Sequence, residues 1–102
     1  INKETIAKMK DGVILINTSR GGLINEDDLV NALNSGKIYA AGLDVISEEP
    51  PRHDLGILHC ENATITDHIA YLPKTSRLRS VSVAISNFKA YLDGCPTSVI
   101  NK

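Results

Sequence analysis

The chain has 102 residues, 42% of them hydrophobic and 23% charged, an ordinary globular composition that excludes a disordered or fibrous protein. Eleven basic and twelve acidic side chains leave a net charge of −1, so nothing in the balance calls for nucleic acid or an acidic membrane surface. No apolar run approaches the roughly 20 residues of a membrane span. Cys60 and Cys95 lie far apart and outside any Cys-x-x-Cys spacing, which suits free thiols in a reducing compartment, the cytoplasm. The amino terminus has neither a signal peptide nor an initiating methionine and opens directly on a helix signal, which points to an excised segment.

In chain order, Asn2 is a capping residue for a helix that begins Lys3-Glu4-Thr5, with Ile1 and Ile6 at the two positions of a hydrophobic staple. Gly12 is its expected stop. Val13-Ile14-Leu15-Ile16 is a continuous apolar run between turn formers and predicts a strand buried on both faces, as in a parallel sheet. The segment Asn17 to Gly22 continues neither element. The helix device then recurs: Asn25 caps, and Glu26, Asp27 and Asp28 place negative charge on the first turn. Ile24 faces Leu29 across a second staple, while Leu29, Val30 and Leu33 form the buried stripe and Gly36 the stop. Ile38 to Leu43 is a second short strand, so strand, helix and strand fall within about 30 residues, the length of a parallel crossover unit.

Residues 47 to 62 contain Glu48-Glu49-Pro50-Pro51 and predict a long loop with one helical turn near Leu55 to Leu58. Ala63 to Thr66 is a third, brief strand. From about Lys74 the residues Leu78, Val81, Ile85, Phe88 and Leu92 follow spacings of three and four, a helical stripe that reads as core, and Gly94 and Pro96 terminate it. The order is that of an α/β layer with a parallel sheet. Three strands make a small sheet, and the edge of the first strand is expected to want a partner.

Ligands of open parallel sheets bind beyond the carboxyl ends of the strands. Arg20 follows the first strand, Asp44 ends the second and His68 follows the third, with Glu49 on the loop beyond Asp44. An arginine matches a carboxylate bidentately, a histidine exchanges a proton near neutrality, and a glutamate beside it favours the imidazolium and fixes its tautomer. Gly21 and Gly22 leave the backbone beside Arg20 open to close approach by a flat ligand. Plainer roles exist for each residue alone: a surface arginine, a turn-capping Asp44, a half-buried His68, a solvated Glu48 or Glu49. The spacing of His53, His59 and Cys60 fits no standard zinc pattern, so no metal is expected.

At these residues the sequence resembles the D-isomer-specific 2-hydroxyacid dehydrogenases, most of all their glycerate dehydrogenase or hydroxypyruvate reductase group. The resemblance is carried by Asn2 to Lys10, Ile16-Asn17-Thr18-Ser19-Arg20-Gly21-Gly22-Leu23-Ile24, Ala41-Gly42-Leu43-Asp44-Val45, Glu49-Pro50, and Ile65-Thr66 with His68-Ile69-Ala70. It implies a partial Rossmann-type parallel sheet of about three strands, flanked by helices, and a hydride transfer between NAD and C2 of a small 2-hydroxy or 2-oxo acid. By the same resemblance Arg20 would hold the substrate carboxylate, His68 would be the acid and base, and Glu49 would orient it. Asn17, Thr18, Ser19, Arg20, Asp44, His68, Ile69 and Ala70 would line the nicotinamide pocket.

Asp67 departs from the family pattern, which has Pro there, and sets a second carboxylate directly before the proposed acid and base. Arg52 to Glu61 departs as well. Neither the glycine-rich G-x-G-x-x-G turn nor the ribose-binding acidic residue of the family is among these residues. Residues 1–102 are therefore expected to be the carboxy-terminal portion of an NAD-binding domain without its substrate domain, inactive alone. A homo-oligomer, formed through the open sheet edge, is the expected assembly. The competing reading is a non-catalytic remnant of the fold that serves as an assembly or interaction module.

Overall fold

The computed structural model describes residues 1–100. They form two compact units, the first spanning Ile1–Ile69 and the second starting at Ala70. The first unit holds α1 (Lys3–Ala7), β1 (Val13–Asn17), α2 (Glu26–Asn34), β2 (Ile38–Leu43) and β3 (Ala63–Ile65), with single 3-10 turns at Gly21–Leu23 and Gly56–His59. The second holds one long helix, α3 (Lys74–Leu92). No described helix is long and apolar enough to cross a membrane.

The expected elements are present, with informative differences at their edges. The Asn2 side chain accepts from the Thr5 amide at 3.1 Å and the Thr5 hydroxyl accepts in turn from the Asn2 amide, so α1 starts on a full capping box. It ends at Ala7, well before Gly12, because Ile6 is its single buried residue and nothing else holds a longer helix to the core. Gly12 instead makes the turn into β1, at φ +74 and with its amide bonded to the Lys37 carbonyl. α2 is capped as its sequence predicts, the Asn25 Oδ1 accepting from the Asp28 amide at 3.0 Å. Leu29 and Leu33, both almost fully buried, press α2 onto the sheet and onto Ile57 of the second 3-10 turn. Side chains of that size each contribute about 1.5–3 kcal/mol on burial.

The sheet is parallel in the order β1-β2-β3. Its register aligns Asn17 with Leu43 and Leu43 with Ile65, so all three carboxyl ends finish on one line. One face, with Leu15, Ala41 and Leu43, joins the core under α2. The other face of β1 does not: Ile14 is 64% and Ile16 73% exposed, against the expectation of burial on both faces. The stripe of α3 differs likewise, since Leu78, Val81, Ile85, Phe88 and Leu92 are all 52–66% exposed. Apolar periodicity marks which face of an element avoids water; it carries no information on what covers that face.

Candidate functional site

The common end line of the strands places three loops side by side, after Asn17, after Leu43 and after Ile65. The first is built on Asn17, which is 7% exposed. Its Oδ1 accepts from the Ser19 amide at 3.1 Å and its Nδ2 donates to the Arg20 carbonyl at 2.9 Å, a side chain mimicking a backbone turn. Asn17 thus shapes the loop with its side chain, whereas Thr18, Ser19 and Arg20 are exposed on the rim. The Arg20 Nη1 donates to the Ser19 carbonyl at 2.7 Å, which leaves other donors of the guanidinium open.

Gly21 has a different task from the one its sequence suggests. A Cβ built on it would stand 1.7 Å from the Ile46 carbonyl oxygen and 2.1 Å from its carbon, so the glycine admits the backbone of the second loop and not a flat ligand. Gly22, with nothing within 4 Å of such an atom, is the open one. The second loop is held again at its next residue, where the Ser47 amide donates to the Glu26 carboxylate at 3.0 Å. Within the loop the Ile46 amide donates to Glu49 Oε1 at 3.0 Å, which fixes the carboxylate whose other oxygen faces the third loop.

That other oxygen meets His68. Glu49 Oε2 lies 2.7 Å from His68 Nδ1, with the two side chains 34% and 44% exposed. The His68 hydrogen bond, and after it the Ile46 amide, hold the Glu49 carboxyl below the ordinary carboxylate range, and the Arg20 charge acts in the same direction. With Nδ1 engaged, Nε2 is the ring nitrogen left to face a ligand. His68 itself has φ +53, a left-handed conformation costing roughly 1–2 kcal/mol for a residue with a Cβ. Its amide donates to the Asp44 carbonyl at 2.9 Å and to the Thr66 carbonyl at 3.0 Å.

Asp44 is 5% exposed. Its Oδ1 accepts from the Thr66 hydroxyl at 2.5 Å and from the Ile69 amide at 2.9 Å, so one buried carboxylate braces the third loop on both sides of His68. Thr66 is a bracing residue to which sequence reading gives no role; its position beside the register partner of Leu43 is the signal that could have found it. Asp44, Glu49, Thr66, Asp67 and His68 line a cavity of about 350 Å³ whose remaining wall is apolar, with Ile46, Leu58 and Ile65. That volume lies at the small end of small-molecule sites.

The structure thus unites Glu49, His68 and Asp44, sets Asp67 in the same wall, and leaves Arg20 on the rim outside the lining. Ala70 is exposed and opens the second unit. The other two histidines also have carboxylate partners, His53 with Glu48 at 3.0 Å and His59 with Asp54 at 2.6 Å. Both are more exposed than His68, and neither lines the cavity. Among the described residues no three His, Cys, Asp or Glu side chains gather in a way that could hold a metal ion.

Comparison with known proteins gives a family match over residues 1–70, to the NAD binding domain of the D-isomer specific 2-hydroxyacid dehydrogenases. The chain is 56% identical over 102 residues to a hydroxypyruvate reductase of Blautia hydrogenotrophica, covering 100% of this chain and 32% of that protein. It is 43% identical over 95 residues to the human glyoxylate reductase/hydroxypyruvate reductase, covering 93% of this chain and 29% of the other. Among solved structures, a D-lactate dehydrogenase from Aquifex aeolicus complexed with NAD and lactic acid superposes with a TM-score of 0.67 at 37% identity, over 91% of this chain and 32% of that one. A glyoxylate reductase from Paecilomyes thermophila gives 0.72 at 38% identity, over 88% and 27%. The chain spans about a third of the length of these relatives.

Proposed function

Because the chain belongs to the D-isomer specific 2-hydroxyacid dehydrogenases, we propose that it carries the acid–base half of a site that reduces a small 2-oxo acid, or oxidises the matching 2-hydroxy acid, with NAD. The observation that carries this reading is the 2.7 Å contact between Glu49 and His68 Nδ1 at the carboxyl edge of a parallel sheet. When bound, NAD supplies or accepts the hydride at C2.

The residues at the rim fit such a group. Thr18 and Ser19 are exposed at the end of β1, so their hydroxyl and backbone groups are open to an amide-bearing ring. Asp44, His68 and Ile69 would bound the same space from the neighbouring loops. Arg20 would grip the carboxylate of the acid through paired donors. His68 Nε2 would give its proton to the C2 oxygen as the carbonyl is reduced and take it back in the reverse direction. Glu49 offsets the imidazolium charge and holds the ring in the orientation that keeps Nε2 forward.

Asp67 in the cavity wall, together with the lack of any lysine or arginine among the lining residues, favours a neutral or hydroxylated C3 group over a second anion. Glycerate and hydroxypyruvate meet that requirement. The edge of β1, with Ile14 and Ile16 exposed beside it, is unpaired among the described residues, and either a further strand of the same domain or a second copy in a homo-oligomer would cover it. The free thiols of Cys60 and Cys95 support a reducing compartment, as in the cytoplasm.

The test places this chain in a complete enzyme by exchanging it for the matching segment of the Blautia hydrogenotrophica relative. Hydroxypyruvate reduction by that chimera is expected to fall roughly 100- to 10,000-fold in His68→Asn, the usual contribution of a positioned acid and base, while NADH binding is retained. Turnover within a few-fold of the parent chimera would remove His68 from the role.

A further inference from the structure

Glu49 reaches His68 from a loop, and loops are commonly mobile, so something must hold this one in place. The structure shows two holds outside the loop itself. Gly21 lets the Ile46 backbone approach so closely that any Cβ would overlap it. One residue on, the Ser47 amide donates to Glu26 Oε2 at 3.0 Å, across 21 positions of sequence. Glu26 opens α2, a nine-residue helix anchored by Leu29 and Leu33 in the core. Its carboxylate therefore connects a rigid element to a loop that contributes half of the proposed acid–base pair. Gly21, Glu26, Ile46 and Ser47 share one narrow crevice of about 10 Å³, space for at most about one water.

We infer that Glu26 is a positioning residue for the site: by holding the Ser47 amide it sets where Glu49 stands, and through Glu49 it sets the ring orientation and tautomer of His68. The inference rests on the acid–base reading of His68 and Glu49 given above. The path is short and consists of named bonds. Glu26 holds Ser47, the adjoining Ile46 amide holds Glu49 Oε1 at 3.0 Å, and Glu49 Oε2 holds His68 Nδ1 at 2.7 Å. Asp27 is a useful contrast. It shares the first turn of α2, and hence the same interaction with the helix dipole, without a hydrogen bond to the loop. A role for Glu26 confined to helix stability would be shared by Asp27; a positioning role would not.

The experiment uses the 102-residue chain labelled with ¹⁵N, with His53→Asn and His59→Asn so that His68 is the single histidine observed. In the parent, His68 is expected to show one tautomer, protonated at Nδ1 toward Glu49, and the Ser47 amide is expected to exchange slowly. In Glu26→Ala the His68 nitrogens should move toward the averaged shifts of two tautomers, and Ser47 exchange should quicken by roughly tenfold, as for a lost hydrogen bond to a charged acceptor. Glu26→Gln, which keeps an acceptor oxygen at the same reach, should restore most of both signals. Asp27→Ala should leave both unchanged.

If Glu26→Ala does not fold, Glu26→Asp, one methylene short of Ser47, carries the same expectation. Parent-like signals from His68 in Glu26→Ala or Glu26→Asp, alongside a clear response to Glu49→Gln, would overturn the inference and leave the acid–base pair standing. No response to Glu49→Gln would overturn the pair itself, and the inference with it. Equal effects of Glu26→Ala and Asp27→Ala would assign Glu26 a role in helix stability alone.

Discussion

Replacing Gly21 with alanine isolates the contact on which the site's geometry depends. The added carbon would lie 1.7 Å from the Ile46 oxygen and 2.8 Å from the Ser47 nitrogen, where ordinary contacts begin at 3.4 Å. The obstacle is backbone, so no side-chain rotation relieves it, and the loops after β1 and β2 must part by well over an ångström. Because Gly21 has no positive φ, the whole cost comes from this overlap. Overpacking of this severity is worth ~3 kcal/mol, the upper end of the usual range, a large share of the roughly 5–15 kcal/mol that stabilises a domain.

At about 4–8 °C per kcal/mol for a chain of this size, the thermal midpoint followed by circular dichroism should fall by roughly 12–24 °C in Gly21→Ala. Gly22→Ala is the internal control. Nothing lies within 4 Å of its added carbon, and it should stay within about 0.5 kcal/mol of the parent. A Gly21→Ala midpoint within about 3 °C of the parent, or no lower than that of Gly22→Ala, would refute the close approach and with it the first hold on the Glu49 loop.

Two further expectations concern the same elements. The Glu49 carboxyl is lowered first by the His68 hydrogen bond and then by the Ile46 amide. What those bonds contribute is therefore present above the ordinary carboxylate range and is lost as pH falls through the lowered value. A carboxyl-carbon NMR titration should find the Glu49 midpoint below that of a free glutamate, and His68→Asn should bring it upward; an unchanged midpoint in that variant would mean the two side chains are not bonded in solution. Asn25→Ala removes the acceptor of the Asp28 amide at the start of α2, and the urea midpoint should report a loss of about 1 kcal/mol, typical of a missing cap. No measurable change would show that water replaces the cap there at no cost.

Much of this was readable from sequence because the signals are local. Asn25 before three acidic residues, the apolar positions 29 and 33, and Gly36 beyond them define α2 without tertiary knowledge, and β2 was bounded to the residue. The rim was readable too, since the parallel sheet orders its strand ends and Arg20, Asp44 and His68 each follow one. What was not readable depends on contacts between distant segments. The Gly21 requirement exists because Ile46 comes within reach of it, and the Glu26 hold because Ser47 does. Asn17 has the composition of a ligand-facing residue, yet its side chain is consumed in its own turn. The exposure of Ile14, Ile16 and the α3 stripe was illegible for the opposite reason, because an apolar face looks the same in sequence whether or not this chain supplies its cover.

The left-handed backbone at His68 connects these threads. A histidine at φ +53 persists where surrounding bonds over-determine it, and here three elements do so. The Asp44 carbonyl and the Thr66 carbonyl both accept from the His68 amide, while the Asp44 carboxylate grips the residues on either side through the Thr66 hydroxyl and the Ile69 amide. The imidazole is then fixed from its other end by Glu49. Backbone and side chain of His68 are thus held by two separate points on the segment that follows β2, Asp44 directly after the strand and Glu49 further along the loop. That division explains why the proposed acid–base residue can sit on a short loop, partly open to solvent, and still present a single ring nitrogen to the cavity. It also implies that the two holds fail separately. Loss of Asp44 or Thr66 should disorder the backbone that carries the ring, whereas loss of Glu49, or of Glu26 behind it, should leave that backbone in place and free the ring alone.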